Sequence, residues 1–190
     1  MAEVFKTLTR EEAKVYMHMW EDGNNFKVLI ADKTRNSTVV DIGCGKGIKI
    51  KELYNRDRYI GLDISEALLC EARSRNPGFV FLNVNCTDLS IFNNNTFDYS
   101  IIIGVLEHCD TLEEARSIYR EGLRICRHNM FVFWHTPPKG DTNNIIEKIS
   151  DDLGKFQHSN QYSATSFSDI GKVESKIVDG KQEIWTITKN

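Results

Sequence analysis

Hydrophobic positions along the chain switch repeatedly between a helical and a strand period. Thr9-Arg10-Glu11-Glu12 has the form of a capping box, and Ala13, Tyr16, Met17 and Trp20 follow on one face, which predicts a helix over 10–21. Asp22-Gly23-Asn24-Asn25 ends it, and residues 26–31 fit a second short helix. Val39-Val40-Asp41-Ile42 then supplies the β-branched run that a strand buried on both faces needs. Ile48, Ile50, Leu53 and Tyr54 suit a first core helix, and Tyr59 to Asp63 a second strand. Ser65 is placed to cap the helix carrying Ala67, Leu68, Leu69 and Ala72, which Asn76-Pro77-Gly78 breaks. Strands follow at 79–84 and 97–104, a helix led by Thr111 and Glu114 with Leu112, Ala115, Ile118, Tyr119, Leu123 and Cys126 on one face, and a fifth strand at 130–135. Ile145, Ile146 and Ile149 predict another helix, and Asp179-Gly180 between the runs 173–178 and 183–188 signals a hairpin.

Strands alternating with helices make an α/β fold, and 190 residues suffice for one well-buried domain. The sequence shows no apolar run of membrane-spanning length and no leader-like apolar core at residues 1–10. Five scattered cysteines without a CxxC pair fit a reducing compartment and no zinc site, so a cytoplasmic protein is expected. A net charge of -3 gives no general attraction to nucleic-acid phosphates.

The chemistry is concentrated where the first strand ends. Gly43, Gly45 and Gly47 follow Asp41 with Cys44 and Lys46 between them, where a sharp turn and close approach of a ligand to main-chain N–H groups call for residues without a Cβ. The spacing is GxGxG; the dinucleotide fingerprint needs its third glycine at position 48, which is Ile48. Asp63, at the tip of the second strand, is positioned to accept ribose hydroxyls, or else to cap the helix that Ser65 already caps.

An acid, one residue and GxGxG, followed by the acid-tipped second strand and by Phe97-Asp98 running into Val105-Leu106-Glu107-His108, resembles the class I S-adenosylmethionine-dependent methyltransferases. The resemblance implies a Rossmann-like three-layer sandwich with a seven-stranded, mostly parallel sheet and an antiparallel C-terminal hairpin. It implies S-adenosyl-L-methionine as cofactor and S-adenosyl-L-homocysteine as product, held by Asp41, Gly43, Cys44, Gly45, Gly47 and Asp63. Asn85 and the Cys86 main chain would meet the adenine, with Asp88 as the alternative partner, Ile64 and Leu89 flanking the ring, and Val105 and Leu106 as the floor beneath the sulfonium. One domain over 1–190 would divide into a helical cap (1–37), a cofactor-binding core (38–135), a substrate lid (136–171) and the hairpin (172–190).

Methyl transfer needs an aligned acceptor with a free lone pair, and a base only for some acceptors. His108 and His135, at the ends of neighbouring strands, are the candidate bases; each has a packing role as its alternative. Glu107 could orient a cationic group, and Tyr16, Trp20 and Tyr162 either pack in the core or face substrate. The N-P-P-[YF] segment of exocyclic-amine nucleic-acid enzymes is absent, and no acid cluster follows the fourth strand to hold a metal. The expected activity is methylation of an O or N atom of a small molecule by a monomer or homodimer. An RNA-modifying enzyme that needs a partner, and a non-catalytic S-adenosylmethionine-binding protein, are the alternatives.

Overall fold

The computed structural model describes residues 3–15, 25–34, 36–134, 148–150, 156–158, 160–178 and 182–190. Its central sheet is built from β1 (Val39–Ile42), β2 (Tyr59–Asp63), β3 (Val80–Asn83), β4 (Tyr99–Ile103), β5 (Met130–Trp134), β8 (Gly171–Val178) and β9 (Gln182–Lys189), in the order β3-β2-β1-β4-β5-β9-β8. β1 to β5 run parallel, β9 pairs antiparallel with β5, and β8 pairs antiparallel with β9. This is the seven-stranded sheet with a closing hairpin that the sequence leads one to expect. Residues 179–181, the hairpin tip with Asp179-Gly180, lie outside the described residues.

The strand order reverses between β2-β1 and β4, and every side chain of β1 is buried because helices cover both faces. On one face Val40, Ile42 and Val132 join Ala115, Ile118, Tyr119 and Leu123 of α6 (Leu112–Ile125). On the other, Val39, Ile101 and Phe131 meet Ile30 and Ala31 of α3 (Asn25–Thr34) and Ile50 and Leu53 of α4 (Ile50–Leu53). α5 (Glu66–Arg75) sends Leu68 to the first cluster and Leu69 and Ala72 to the second. Local signals set the ends of these helices. The Ser65 side chain accepts from Leu68 N, Thr111 from Glu114 N, and Thr9 and Glu12 exchange bonds ahead of α2 (Arg10–Val15).

Three expectations change. The first core helix shrinks to the single turn of α4, because Lys49 adopts a left-handed φ of 62° that no preceding helical turn can hold. Phe26 to Ala31 extends into the ten-residue α3. Of the helix expected around Ile145, Ile146 and Ile149, the first two lie outside the described residues, and Ile149 lies in β6 (Lys148–Ser150), paired antiparallel with β7 (Phe156–His158). A five-residue helix the pattern did not announce, α1 (Glu3–Thr7), precedes α2. No helix among the described residues is long and apolar enough to cross a membrane.

Candidate functional site

The glycine loop leaves β1 at the reversal of strand order. Gly43, Gly45 and Gly47 have φ of 76°, 55° and 60°, a region in which a side chain is strained. Their surroundings differ. A Cβ on Gly43 would come within 2.3 Å of Val105 Cγ2, and one on Gly47 within 2.8 Å of Asn76 Nδ2, so these two positions are closed by the protein. A Cβ on Gly45 would meet no atom within 4 Å. The loop is thus pinned at both ends and bare in the middle.

Its hydrogen bonds correct one part of the sequence reading. Gly43 N and Cys44 N both donate to Leu62 O (2.7 and 2.9 Å), Gly47 N donates to Cys44 O (3.1 Å), and Gly45 N donates to Asp63 Oδ2 (2.9 Å). These N–H groups are already used inside the protein, so the loop is not an open row of donors for an anion. That arrangement is poorly suited to a pyrophosphate and compatible with a cationic or neutral ligand lying along the chain.

Asp63 is the electrostatic centre. It is 6% exposed; Oδ2 takes the Gly45 bond and Oδ1 accepts Ser65 N at 2.8 Å. Burial lifts its carboxyl to about 6, against the pull of those main-chain bonds. The Ile64 main chain also bears on this carboxylate, and the lone-pair capacity left beyond these bonds suits a ribose hydroxyl. Asn83 holds the neighbouring strand tips by donating to Asp63 O and Ile64 O (3.2 and 2.8 Å). Asp41, also buried, accepts from Tyr59 Oη at 2.7 Å beneath the loop.

At the adenine end Ile64 is half-buried and Asn85 exposed, with Asn85 Oδ1 accepting Thr87 N. Cys86 is fully buried, so its main chain meets no solvent, and Leu89 is likewise core. Asp88 is turned elsewhere: its Oδ1 accepts Ser90 N beside a shallow depression near Arg124. Arg124 is itself occupied by Glu121, Asn94 and the carbonyls of Phe92 and Leu89.

The turn after β4 faces the loop from the other side. Gly104 there has a φ of 62°, Val105 packs on Gly43, and Leu106 and Glu107 are buried. His108 is partly exposed, and its ring lies 5.6 Å from that of Phe5 on α1. The fully buried Asn160 ties a later segment to this turn: its N–H reaches Glu107 O (2.7 Å), and its Nδ2 reaches Cys109 O (2.7 Å) and Tyr162 Oη (2.8 Å). Tyr162 is therefore beside the site and completely buried, while Tyr16, Trp20 and His135 lie outside the described residues. Among the described residues no cluster of metal-ligating side chains exists.

Two contributors escaped the sequence reading. Lys46, in the glycine loop, is 2% exposed and donates to Lys14 O at 3.0 Å, fastening α2 to the loop; a lysine in a loop carries no outward sign of burial. Asn160 sits in a polar run that reads as surface, and only its distant main-chain partners make it a post. Trp134 was visible only as part of a strand, yet it ends β5 beside the site.

Residues 39–129 match the family model described as "Methyltransferase domain". The chain is 37% identical over 94 residues to the tRNA (carboxymethyluridine(34)-5-O)-methyltransferase of Saccharomyces cerevisiae, covering 48% of this chain and 33% of that protein. It is 43% identical over 53 residues to a trans-aconitate 2-methyltransferase of an Acidovorax species, covering 26% and 20%. It thus spans a third or less of the length of these curated relatives. Among solved structures, the Burkholderia thailandensis 1,6-didemethyltoxoflavin-N1-methyltransferase, with its substrate and S-adenosylhomocysteine bound, superposes with a TM-score of 0.69 at 13% identity, covering 98% of this chain and 88% of that one.

Proposed function

The chain carries, over residues 39–129, a methyltransferase domain of the class I S-adenosylmethionine-dependent family, and from that premise we propose that it binds S-adenosyl-L-methionine and transfers its methyl group to an O or N atom of a small-molecule acceptor. The observation that carries the reading is the pairing of Asp63 with the bare centre of the glycine loop. A buried carboxylate with lone pairs to spare is anchored 2.9 Å from the one loop glycine whose missing Cβ leaves open space. The residues fit the cofactor: Asp63 would take the ribose hydroxyls, Gly45 would leave room for the chain bearing the sulfur, and Ile64 and Asn85 would border the adenine. Asp41 would sustain a negative field under the loop, and Val105 and Leu106 would form the floor.

The cofactor supplies an electrophilic methyl group on a positively charged sulfur. The protein's own share is alignment: fixing donor and acceptor in line lowers such a barrier by about 7–11 kcal/mol in favourable cases. His108 would serve an acceptor that must lose a proton, and His135 is the second candidate for that role. Glu107 would orient a cationic group, and Tyr16, Trp20 and Tyr162 would contact the acceptor. The relatives' names support small polar acceptors and also a modified uridine of tRNA, so RNA methylation is the second reading. Both named acceptors, carboxymethyluridine and trans-aconitate, bear carboxyl groups. Residues 1–37 would act as a cap over the loop and 136–171 as the lid, in one domain working in the cytoplasm as a monomer or homodimer.

Calorimetric titration with S-adenosylmethionine, S-adenosylhomocysteine and NAD, followed by labelled-methyl transfer to a metabolite extract and to total RNA, tests this. Binding of the first two but not NAD, with label entering the extract, is expected. NAD binding, or no binding of either sulfur compound, refutes the proposal; label entering RNA alone establishes the second reading; tight binding without any transfer points to a regulator.

A further inference from the structure

The central sheet ends on a strand that is open on one side. β8 pairs with β9 along its whole length and stands last in the strand order, so among the described residues its outer row of main-chain N–H and C=O groups has no ladder partner. Such a row is a template for another chain, and charged side chains commonly guard it. β8 carries Lys172, Glu174 and Lys176 on one face and Val173, Ser175 and Ile177 on the other. Val173 packs against the core on the α6 side, whereas residues 174–177 are exposed on both faces, and Ile177 is 57% exposed. Lys172 Nζ lies 3.4 Å from Glu174 Oε1, while Lys176 has no ion pair among the described residues. The guard is therefore made of both signs in alternation, with a large apolar side chain standing uncovered beside it.

We propose that β8 pairs antiparallel with β8 of a second copy of this chain, about a two-fold axis at Ser175 that joins the two seven-stranded sheets into one. An axis normal to the sheet keeps every residue on its own face, so the register alone decides which side chains meet. With the axis at Ser175, Glu174 of each copy faces Lys176 of the other, and Val173 of each faces Ile177 of the other. Opposite-charge and apolar pairs are the cross-strand contacts that stabilise a sheet, and symmetry makes each of them twice. The Ser175 hydroxyl donates to Glu183 in its own hairpin, so two small, satisfied side chains meet at the axis. Neighbouring registers fail. An axis at Glu174 sets glutamate against glutamate and Lys172 against Lys176, and one at Lys176 sets lysine against lysine. An axis at Val173 pairs Lys172 with Glu174 but carries Ile177 past the start of β8, opposite Asp169. This self-complementarity is what favours a second copy over an unrelated strand. The axis reverses strand direction, so the two glycine loops open at opposite edges of the joined sheet and each copy keeps a whole site. The proposal rests on the sheet alone and not on the cofactor reading.

Sedimentation velocity of the whole chain, loaded from about 1 to about 100 µM to cover the range of a small interface, decides it. A concentration-dependent dimer is expected. Lys176→Glu and Glu174→Lys each set like charges opposite one another twice, and each should weaken association about tenfold or more. An equimolar mixture of the two variants puts glutamate against lysine at both contacts again, so it should recover parental association, as should the chain carrying both exchanges. Ile177→Lys, at a separate exposed position, should weaken the dimer likewise and serves where a charge variant loses the parental circular dichroism. A parent that stays monomeric throughout overturns the proposal and leaves the strand to a different protein. A dimer retained in full by any of the three single variants, or a mixture as monomeric as its components, overturns it as well.

Discussion

Replacing Asp63 by asparagine tests the site because stability and binding respond differently. The native carboxyl titrates at about 6, well above its ordinary value of 3.8, and burial is the main cause. An acid whose folded pKa is raised holds its proton more tightly in the native state. Its contribution to stability is therefore fullest below pH 3.8 and is lost as pH rises through about 6. A displacement of roughly two units puts the cost of keeping the carboxylate ionised at neutral pH at about 3 kcal/mol. Asparagine removes that cost but pairs with only one of Gly45 N and Ser65 N, and the orphaned N–H costs about 1–3 kcal/mol. The two effects offset, so the unliganded variant should stay within about 2 kcal/mol of the parent in urea denaturation near neutral pH. Cofactor binding has no such compensation. Loss of charge-assisted bonds worth about 1.5–3 kcal/mol weakens S-adenosylhomocysteine binding roughly 10- to 150-fold. The parent should bind about tenfold more weakly near pH 5 than near pH 7.5, since tight binding needs the ionised form, and the variant should lose that dependence. Titration calorimetry at the two pH values reads both effects. Unchanged affinity in the variant, or pH-independent binding by the parent, would refute the reasoning.

Gly43→Ala and Gly45→Ala should part company: the first drives a Cβ into Val105 and lowers the melting temperature sharply, whereas the second costs about 1–2 kcal/mol of left-handed strain and chiefly weakens cofactor binding. Comparable melting curves with intact binding in Gly45→Ala would contradict the assignment of open space to the ligand. Lys46→Met leaves the Lys14 carbonyl without its donor, so amide exchange in α2 should quicken while exchange in β1 stays slow; equal protection of α2 in both proteins would deny the fastening. Asn160→Ala deletes the bonds to Cys109 O and Tyr162 Oη and should cost about 2–4 kcal/mol by denaturant titration, with a loss under about 0.5 kcal/mol marking the post as dispensable.

The strands of the cofactor half were legible because each carries its own signal. Val39 to Ile42 and Tyr59 to Asp63 are compact apolar runs closed by a loop or an acid, and parallel pairing needs no further code. Capping at Ser65, Thr111 and Thr9 was equally local. The short elements were not legible, since Ile145, Ile146 and Ile149 satisfy either period over so few residues, and only pairing with 156–158 fixes Lys148–Ser150 as strand. At the site, residue types announced the glycine loop and Asp63, but the loop spends two of its N–H groups on Leu62 O, which no motif encodes. Lys46 and Asn160 are polar residues made internal by partners 32 and 51 positions away, a non-local fact that hydropathy reads backwards.

The most direct test of the central claim is a crystal structure with S-adenosylhomocysteine. The account predicts the ribose hydroxyls within hydrogen-bonding distance of Asp63, the sulfur-bearing chain passing over Gly45, and the adenine beside Ile64 and Asn85. A ligand seated elsewhere, or one whose ribose makes no contact with Asp63, would contradict it.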